Sequence, residues 1–184
     1  GQKDVECEYL VIDGGSDDGT VDIIREYEPK FGGRMRWLSE RDAGMYDAIN
    51  KGLKMASGDI VGILKADDLF QSEDTLAHIA AAFTDDVNAI YADIRFVKDD
   101  LQTTSRYYSA KHWKPWMLQW GKMPPHPSVY IRRELFDRLG LYKLGYDIAA
   151  DYELLIRYLR RAGIKTRYLN ECVVRMRMGG KSTR

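Results

Sequence analysis

Two adjacent carboxylates, Asp67 and Asp68, follow the apolar run Ile60-Val61-Gly62-Ile63-Leu64 after only Lys65 and Ala66. A strand that stops in paired carboxylates at the rim of a sheet can hold a divalent cation and, through it, a phosphate-bearing ligand. Mg²⁺ and Mn²⁺ take oxygen ligands in such places. The same residues also suit a solvated Asp-Asp turn that caps a following helix.

Four other groups of residues could do chemistry. Tyr9-Leu10-Val11-Ile12 reads as a buried strand running into Asp13-Gly14-Gly15-Ser16-Asp17-Asp18-Gly19-Thr20. Asp13 at the strand end can accept hydrogen bonds from a nucleobase or ribose, and the glycines let backbone approach a ligand closely. Ser16 or Asp18 can instead simply cap the next helix. Neither a dinucleotide-binding Gly-x-Gly-x-x-Gly nor a Gly-Lys-Ser/Thr phosphate loop is present. Ser39 to Gly52 gathers polar groups, Asp42 among them, at a helix start, which favours anions. It also fits capping by Asp42 and an i,i+4 pair of Asp47 with Lys51. Asp151, with Glu153 close by, opens a late helix as N-cap or as a general base facing a hydroxyl. Asp147 competes with it for that role. His126 is presented between prolines before a strand, where a binding role and a structural one both fit.

The elements that must position these residues alternate. Helices are expected over 21–27, 44–55 and 73–83, and strands over 9–12, 35–38 and 60–64, with Gly58 as a helix C-cap. The order β-α-β-α-β-α argues an α/β fold with a mixed, mostly parallel sheet and helices on both faces. Ligands of such sheets bind at the carboxyl ends of strands, where Asp13 and the Asp67-Asp68 pair fall. Further on, strands are expected over 89–93 (continuing over 94–97), 102–108, 128–131, 165–169 and 172–176, with helices over 133–139 and 151–162. Residues 111–126 read as a loop with short helical pieces, carrying Trp113, Trp116 and Trp120. These rings could pack on the apolar faces of a sugar, belong to the core, or touch a membrane surface.

The 184 residues suit one domain with a sizeable core. Lys plus Arg balances Asp plus Glu at 28 each, which leaves no basic footprint for nucleic acid. Cys7 and Cys172 lie in apolar-rich segments and read as reduced thiols of a reducing compartment. No apolar run reaches the roughly 18 residues of a membrane span. The chain starts in a polar segment without an initiator Met, as a piece of something longer would.

Taken together, the stretches YLVIDGGSDDGT, SERDAGMYDAINKGLKMASGDIVGILKADD, PHPSVYIRRELF and DIAADYELLIRYL resemble family-2 glycosyltransferases with the GT-A (nucleotide-diphospho-sugar transferase) fold. The bacterial branch that builds exopolysaccharide, capsule or lipopolysaccharide is the most similar. The resemblance implies that Asp13, with Gly15, Ser16, Asp42 and Asp67, binds the nucleotide-sugar, with Asp13 at the base and Asp67 at the ribose. It implies Asp68 as ligand of a Mn²⁺ or Mg²⁺ that bridges the diphosphate, and Asp151 as general base of an inverting transfer. His126, Glu153 and Trp116 are expected around the acceptor or pocket. Met178 to Ser182 resembles a segment that closes over the donor. The implied partners are a nucleotide-sugar, uridine-linked by expectation, and a saccharide or lipid-linked acceptor. The implied place is the cytoplasm or, peripherally, the inner face of the membrane.

The family's usual first strand and most of its first helix are missing here. A second copy could cover the sheet edge so exposed. Two other readings compete with a working transferase: an inactive nucleotide-sugar binding module or partner subunit, and a nucleotidyltransferase.

Overall fold

The apolar run of residues 9–12 forms β1 (Tyr9–Asp13), which pairs in parallel with β2 (Met35–Ser39) so that Tyr9 faces Met35 and Asp13 faces Ser39. Between them lies α1 (Thr20–Tyr27), begun by Gly19 in the left-handed region (φ 86°) and stopped at a 3₁₀ turn that holds Pro29. The computed structural model describes residues 1–146 and 148–178. It divides into two compact units, one made of Glu6–Val61 with Arg133–Leu154, the other of Gly1–Val5, Gly62–Arg132 and the chain from Leu155 onward. Asp147 and the Gly179-Gly180-Lys181-Ser182 segment lie outside the described residues.

In the first unit, α2 (Met45–Met55) buries Tyr46, Asn50 and Leu53, a helical i, i+4, i+7 stripe. It lies close on β1 at Gly52, where a Cβ would come within 3.2 Å of Ile12 Cγ1. The helix ends at Ala56 in extended conformation, so Gly58 is not its C-cap. Gly58 instead donates its N–H to Glu8 (3.0 Å), as does Ser57 (2.6 Å), and Arg36 closes an ion pair on the same carboxylate. Burial would raise the Glu8 pKa, but these donors outweigh it and hold it at about 2. In α4 (Glu134–Leu139), Leu135 and Phe136 are buried. The start of α5 (Ala150–Leu155) adds Ala150 and Leu154 to the buried set. The helix continues into a π-helical turn, Ile156–Arg161.

In the second unit, β5 (Ala89–Val97) is the central strand, mostly apolar apart from Asp93 and Arg95 and buried over most of its length. Residues 94–97 continue it as one strand, as the sequence suggested. One edge pairs in parallel with β8 (Thr166–Arg177), also a single strand, with irregular register around Asp93. The other edge pairs antiparallel with β6 (Thr104–Tyr108) over its second half and β7 (Val129–Arg132) over its first. The short β4 (Leu69–Phe70) pairs antiparallel with β8, and α3 (Thr75–Ala82) buries Ile79 and Ala82. The strand expected over 60–64 is shorter, β3 (Ile60–Gly62). Gly62 is required by contact: a Cβ there would fall 2.2 Å from a carbon of the buried Tyr130 ring.

Of the three tryptophans in residues 111–123, Trp113 is core and the other two are not. Trp113 meets Tyr91 edge-on at 4.9 Å and donates its indole N–H to the Lys122 carbonyl. Both cysteines are free. Among the described residues no helix is long and apolar enough to cross a membrane.

Candidate active site

Asp13 ends β1 with its side chain almost fully buried. Its Oδ2 accepts hydrogen bonds from the N–H groups of Gly15 (3.1 Å) and Ser16 (3.0 Å) and from the Ser39 hydroxyl (2.6 Å). Its Oδ1 accepts from the Ser16 hydroxyl at 2.5 Å. These donors, the two hydroxyls foremost, hold the carboxyl ionised with a pKa of about 2. Oδ2 is saturated, while Oδ1 keeps acceptor capacity. Asp13 therefore shapes its own loop first, with Gly15 in the left-handed region (φ 85°) making the turn. Ser16 caps Asp13 rather than α1. Asp18, not Ser16, accepts from Thr20 at the helix start.

The loop after β2 lies against this turn. Glu40 donates its N–H to the Asp13 carbonyl (3.1 Å), and Gly14 leaves space for Asp42, whose Oδ2 would stand 2.7 Å from a Cβ at that position. Asp42 does not cap α2; its Oδ1 accepts the Gly44 N–H at 2.8 Å, just ahead of the helix. Lys51 braces the loop from α2 through Glu40 (2.9 Å), Asp47 (3.6 Å) and the Arg41 carbonyl (2.8 Å).

Asp151 comes to the same end of α2. It is the second residue of α5, not its N-cap, and its Oδ1 accepts from its neighbour Tyr152 N–H (2.8 Å) and from the Tyr46 hydroxyl (3.3 Å). The Tyr46 ring stacks on Tyr142 with centroids 5.7 Å apart, and Asn50 clasps the Tyr142 backbone in both directions (2.8 and 2.9 Å). Burial, then the Asp151 charge, raises the Tyr46 pKa. Ala149 immediately before α5 has φ 76°, a conformation that costs a side-chain-bearing residue about 1 kcal/mol. Glu153 pairs with Lys143 at 3.0 Å. Ser39, Tyr46 and Asn50 stand inside the polar stretch from Ser39 to Gly52, but their residue types alone give none of them an individual role. Strand register with Asp13 marks Ser39, and helical spacing marks the other two.

In the second unit, Asp67 and Asp68 sit in a turn between β3 and β4, closed by the Asp68 N–H on the Lys65 carbonyl (3.0 Å). Asp67 is exposed, 4.0 Å from Arg177, which also holds Asp99 at 3.0 Å. Asp68 is only 5% exposed, and its Oδ2 has no hydrogen-bond partner among the described residues. Burial pushes its pKa up to about 6, with Asp67 adding to the shift and Lys65 and the Arg177 backbone opposing it. A buried, partnerless carboxylate oxygen is costly, and a divalent cation would satisfy it. Among the described residues no three or more His, Cys, Asp or Glu side chains gather as a metal cage. Mg²⁺ and its like often bind through one or two carboxylates plus substrate phosphates, so the donor set at Asp68 fits such an ion. His126 opens a 3₁₀ turn (His126–Ser128), and Trp116 is 44% exposed.

Asp93, read from sequence only as a strand residue, is a buried carboxylate in mid-strand. It accepts from the hydroxyls of Tyr107 (2.8 Å) and Tyr168 (2.9 Å) and from the Ala110 N–H (2.8 Å), tying β5, β6, β8 and the Trp loop together.

This α/β architecture is that of solved structures with the GT-A fold. TarS of S. aureus in complex with UDP-GlcNAc aligns with a TM-score of 0.72 at 18% identity, covering 96% of this chain and 51% of that one. In sequence, the profile of glycosyl transferase family 2 matches residues 1–142. The chain belongs to that family. A PGL/p-HBAD biosynthesis glycosyltransferase of Mycobacterium bovis (strain BCG / Pasteur 1173P2) is 30% identical over 170 residues, 91% of this chain. An uncharacterized glycosyltransferase of Mycobacterium tuberculosis (strain CDC 1551 / Oshkosh) is 33% identical over 153 residues, 82% of this chain. The chain spans 64% of the length of the first relative and 56% of the second.

Proposed function

We propose that this chain transfers a sugar from a nucleotide-diphosphate sugar, uridine-linked, to a hydroxyl of a saccharide or lipid-linked acceptor, with inversion at the anomeric carbon. The relatives named as glycosyltransferases support the reaction class, and the UDP-GlcNAc in the TarS crystal supports the donor class. The observation that carries the reading is the buried Oδ2 of Asp68, which has no hydrogen-bond partner among the described residues.

In this reading Asp13 Oδ1 accepts from the nucleobase, with Gly15, Ser16 and Asp42 shaping the loop beside it, and Asp67 meets the ribose. Asp68 would hold Mn²⁺ or Mg²⁺, which when bound offsets the negative charge developing on the diphosphate leaving group. Asp151 takes the proton of the acceptor hydroxyl as its oxygen bonds to the anomeric carbon and the bond to the diphosphate oxygen breaks. Tyr46 positions that carboxylate. Glu153, paired with Lys143, stays out of the proton transfer.

Calorimetric titration with UDP, with Mn²⁺ and then with a chelator, tests the donor site in the wild type and in Asp68→Ala. Metal-dependent binding that disappears in Asp68→Ala is expected. Binding of equal strength with chelator, or in the variant, would remove Asp68 from this role. Asp151→Asn is expected to keep UDP binding and to lower transfer at least about 100-fold. Near-normal turnover in that variant would remove Asp151 from its role.

A further inference from the structure

From Leu101 to Arg133 the chain, neutral overall, has no Asp or Glu. That stretch contains the 3₁₀ helix Pro115–Trp120, which places Trp116 and Trp120 four residues apart on its outside. Their rings meet edge-to-face at 4.9 Å and are 44% and 60% exposed. An aromatic pair of that size usually goes into a core, and Trp113 beside it does so. Every charged side chain flanking the pair in sequence is cationic and exposed: Lys111, Lys114 and Lys122, beside the neutral Gln119. Arg160 of the π-helical turn reaches Gln119 (3.2 Å), with Arg161 next to it. Buried Trp113 and Leu118 anchor the segment from beneath, so the tryptophans are presented from a fixed base.

We propose that the Trp116–Trp120 face docks on an anionic lipid surface. Indole rings settle at the headgroup level of a bilayer, where one edge is apolar and the other wet. Each nearby Lys or Arg adds about 1 kcal/mol of attraction to an anionic leaflet, a factor of about five in affinity. The charge complementarity selects this occupant over a neutral saccharide, which would use the rings but gain nothing from the lysines flanking them or from Arg160. The proposal does not depend on the donor site or on catalysis.

Co-sedimentation of the chain with vesicles of phosphatidylglycerol and phosphatidylcholine, against phosphatidylcholine alone, tests it. Binding to the anionic vesicles only is expected, weakening as salt rises. Trp116→Ala with Trp120→Ala is expected to abolish binding, and Lys114→Gln and Lys122→Gln each to weaken it about fivefold. Both tryptophans are exposed, and circular dichroism checks that the variants fold. Failure to bind anionic vesicles at low salt would overturn the proposal, as would binding unchanged in the double tryptophan variant. Quenching of tryptophan fluorescence by a neutral oligosaccharide, without vesicle binding, would also overturn it and assign the face to a saccharide.

Discussion

The hydroxyl of Tyr46 donates to Oδ1 of Asp151 at 3.3 Å, joining the first turn of α2 to a residue 105 positions further along the chain. Tyr46→Phe keeps the ring stacked on Tyr142 and removes only the donor. Stability should change by no more than about 1 kcal/mol. Turnover in a transfer assay should fall about tenfold at unchanged KM, because the carboxylate loses the group that orients it. A rise in KM with constant kcat would show that Tyr46 shapes substrate binding instead.

Ser39 and Asp13 face each other across the parallel β1–β2 pair, and the serine hydroxyl is one of three donors on Oδ2. Ser39→Ala should cost about 1.5–3 kcal/mol, the range for a hydrogen bond to a charged group. It should also weaken UDP binding measured by calorimetry, since a carboxylate held by fewer donors on Oδ2 presents Oδ1 to the ligand less rigidly. Loss of stability with unchanged UDP affinity would confine Asp13 to holding its loop.

Glu8, like Asp13, makes the stability of the first unit depend on pH. Its pKa is depressed to about 2 from an ordinary 4.5, so its stabilisation is complete above pH 4.5 and disappears as pH falls toward 2. Glu8→Gln should lower stability by about 2–3 kcal/mol at pH 7. The gap between variant and wild type should close in melts recorded below about pH 3. A gap independent of pH would mean that charge is not the source.

Gly62 and Tyr130 are in contact where no other side chain fits. Gly62→Ala drives a methyl into a buried ring and should cost about 2–3 kcal/mol. The denaturant midpoint should drop at constant m-value. An unchanged midpoint would mean that the ring has room to move.

Much of the local architecture was legible from the residues. The β1–turn–α1 connection, α2 with its apolar stripe, the strand end at Asp13 and the Asp47–Lys51 pair all depend on neighbours within a few positions. Backbone preference and periodicity act at that range. Boundaries were less legible: residues 63–64 look as apolar as the strand before them, but they leave it to form the Asp67-Asp68 turn. The single strand β8, read from sequence as two, likewise needed its register on β5 to be recognised as continuous.

What the sequence by itself determined was the family's order of motifs and the residue types available for chemistry. The tertiary structure decided which of those residues are buried, which are held, and by what. Asp67 and Asp68 are adjacent and chemically identical, yet one is exposed and the other buried, with an oxygen unsatisfied among the described residues. Trp113 and Trp116 are three residues apart, yet one is core and the other is surface. Desolvation and hydrogen bonding act through space, and here the partners are set by segments up to about a hundred residues away in the chain. No local pattern of residue types encodes that proximity.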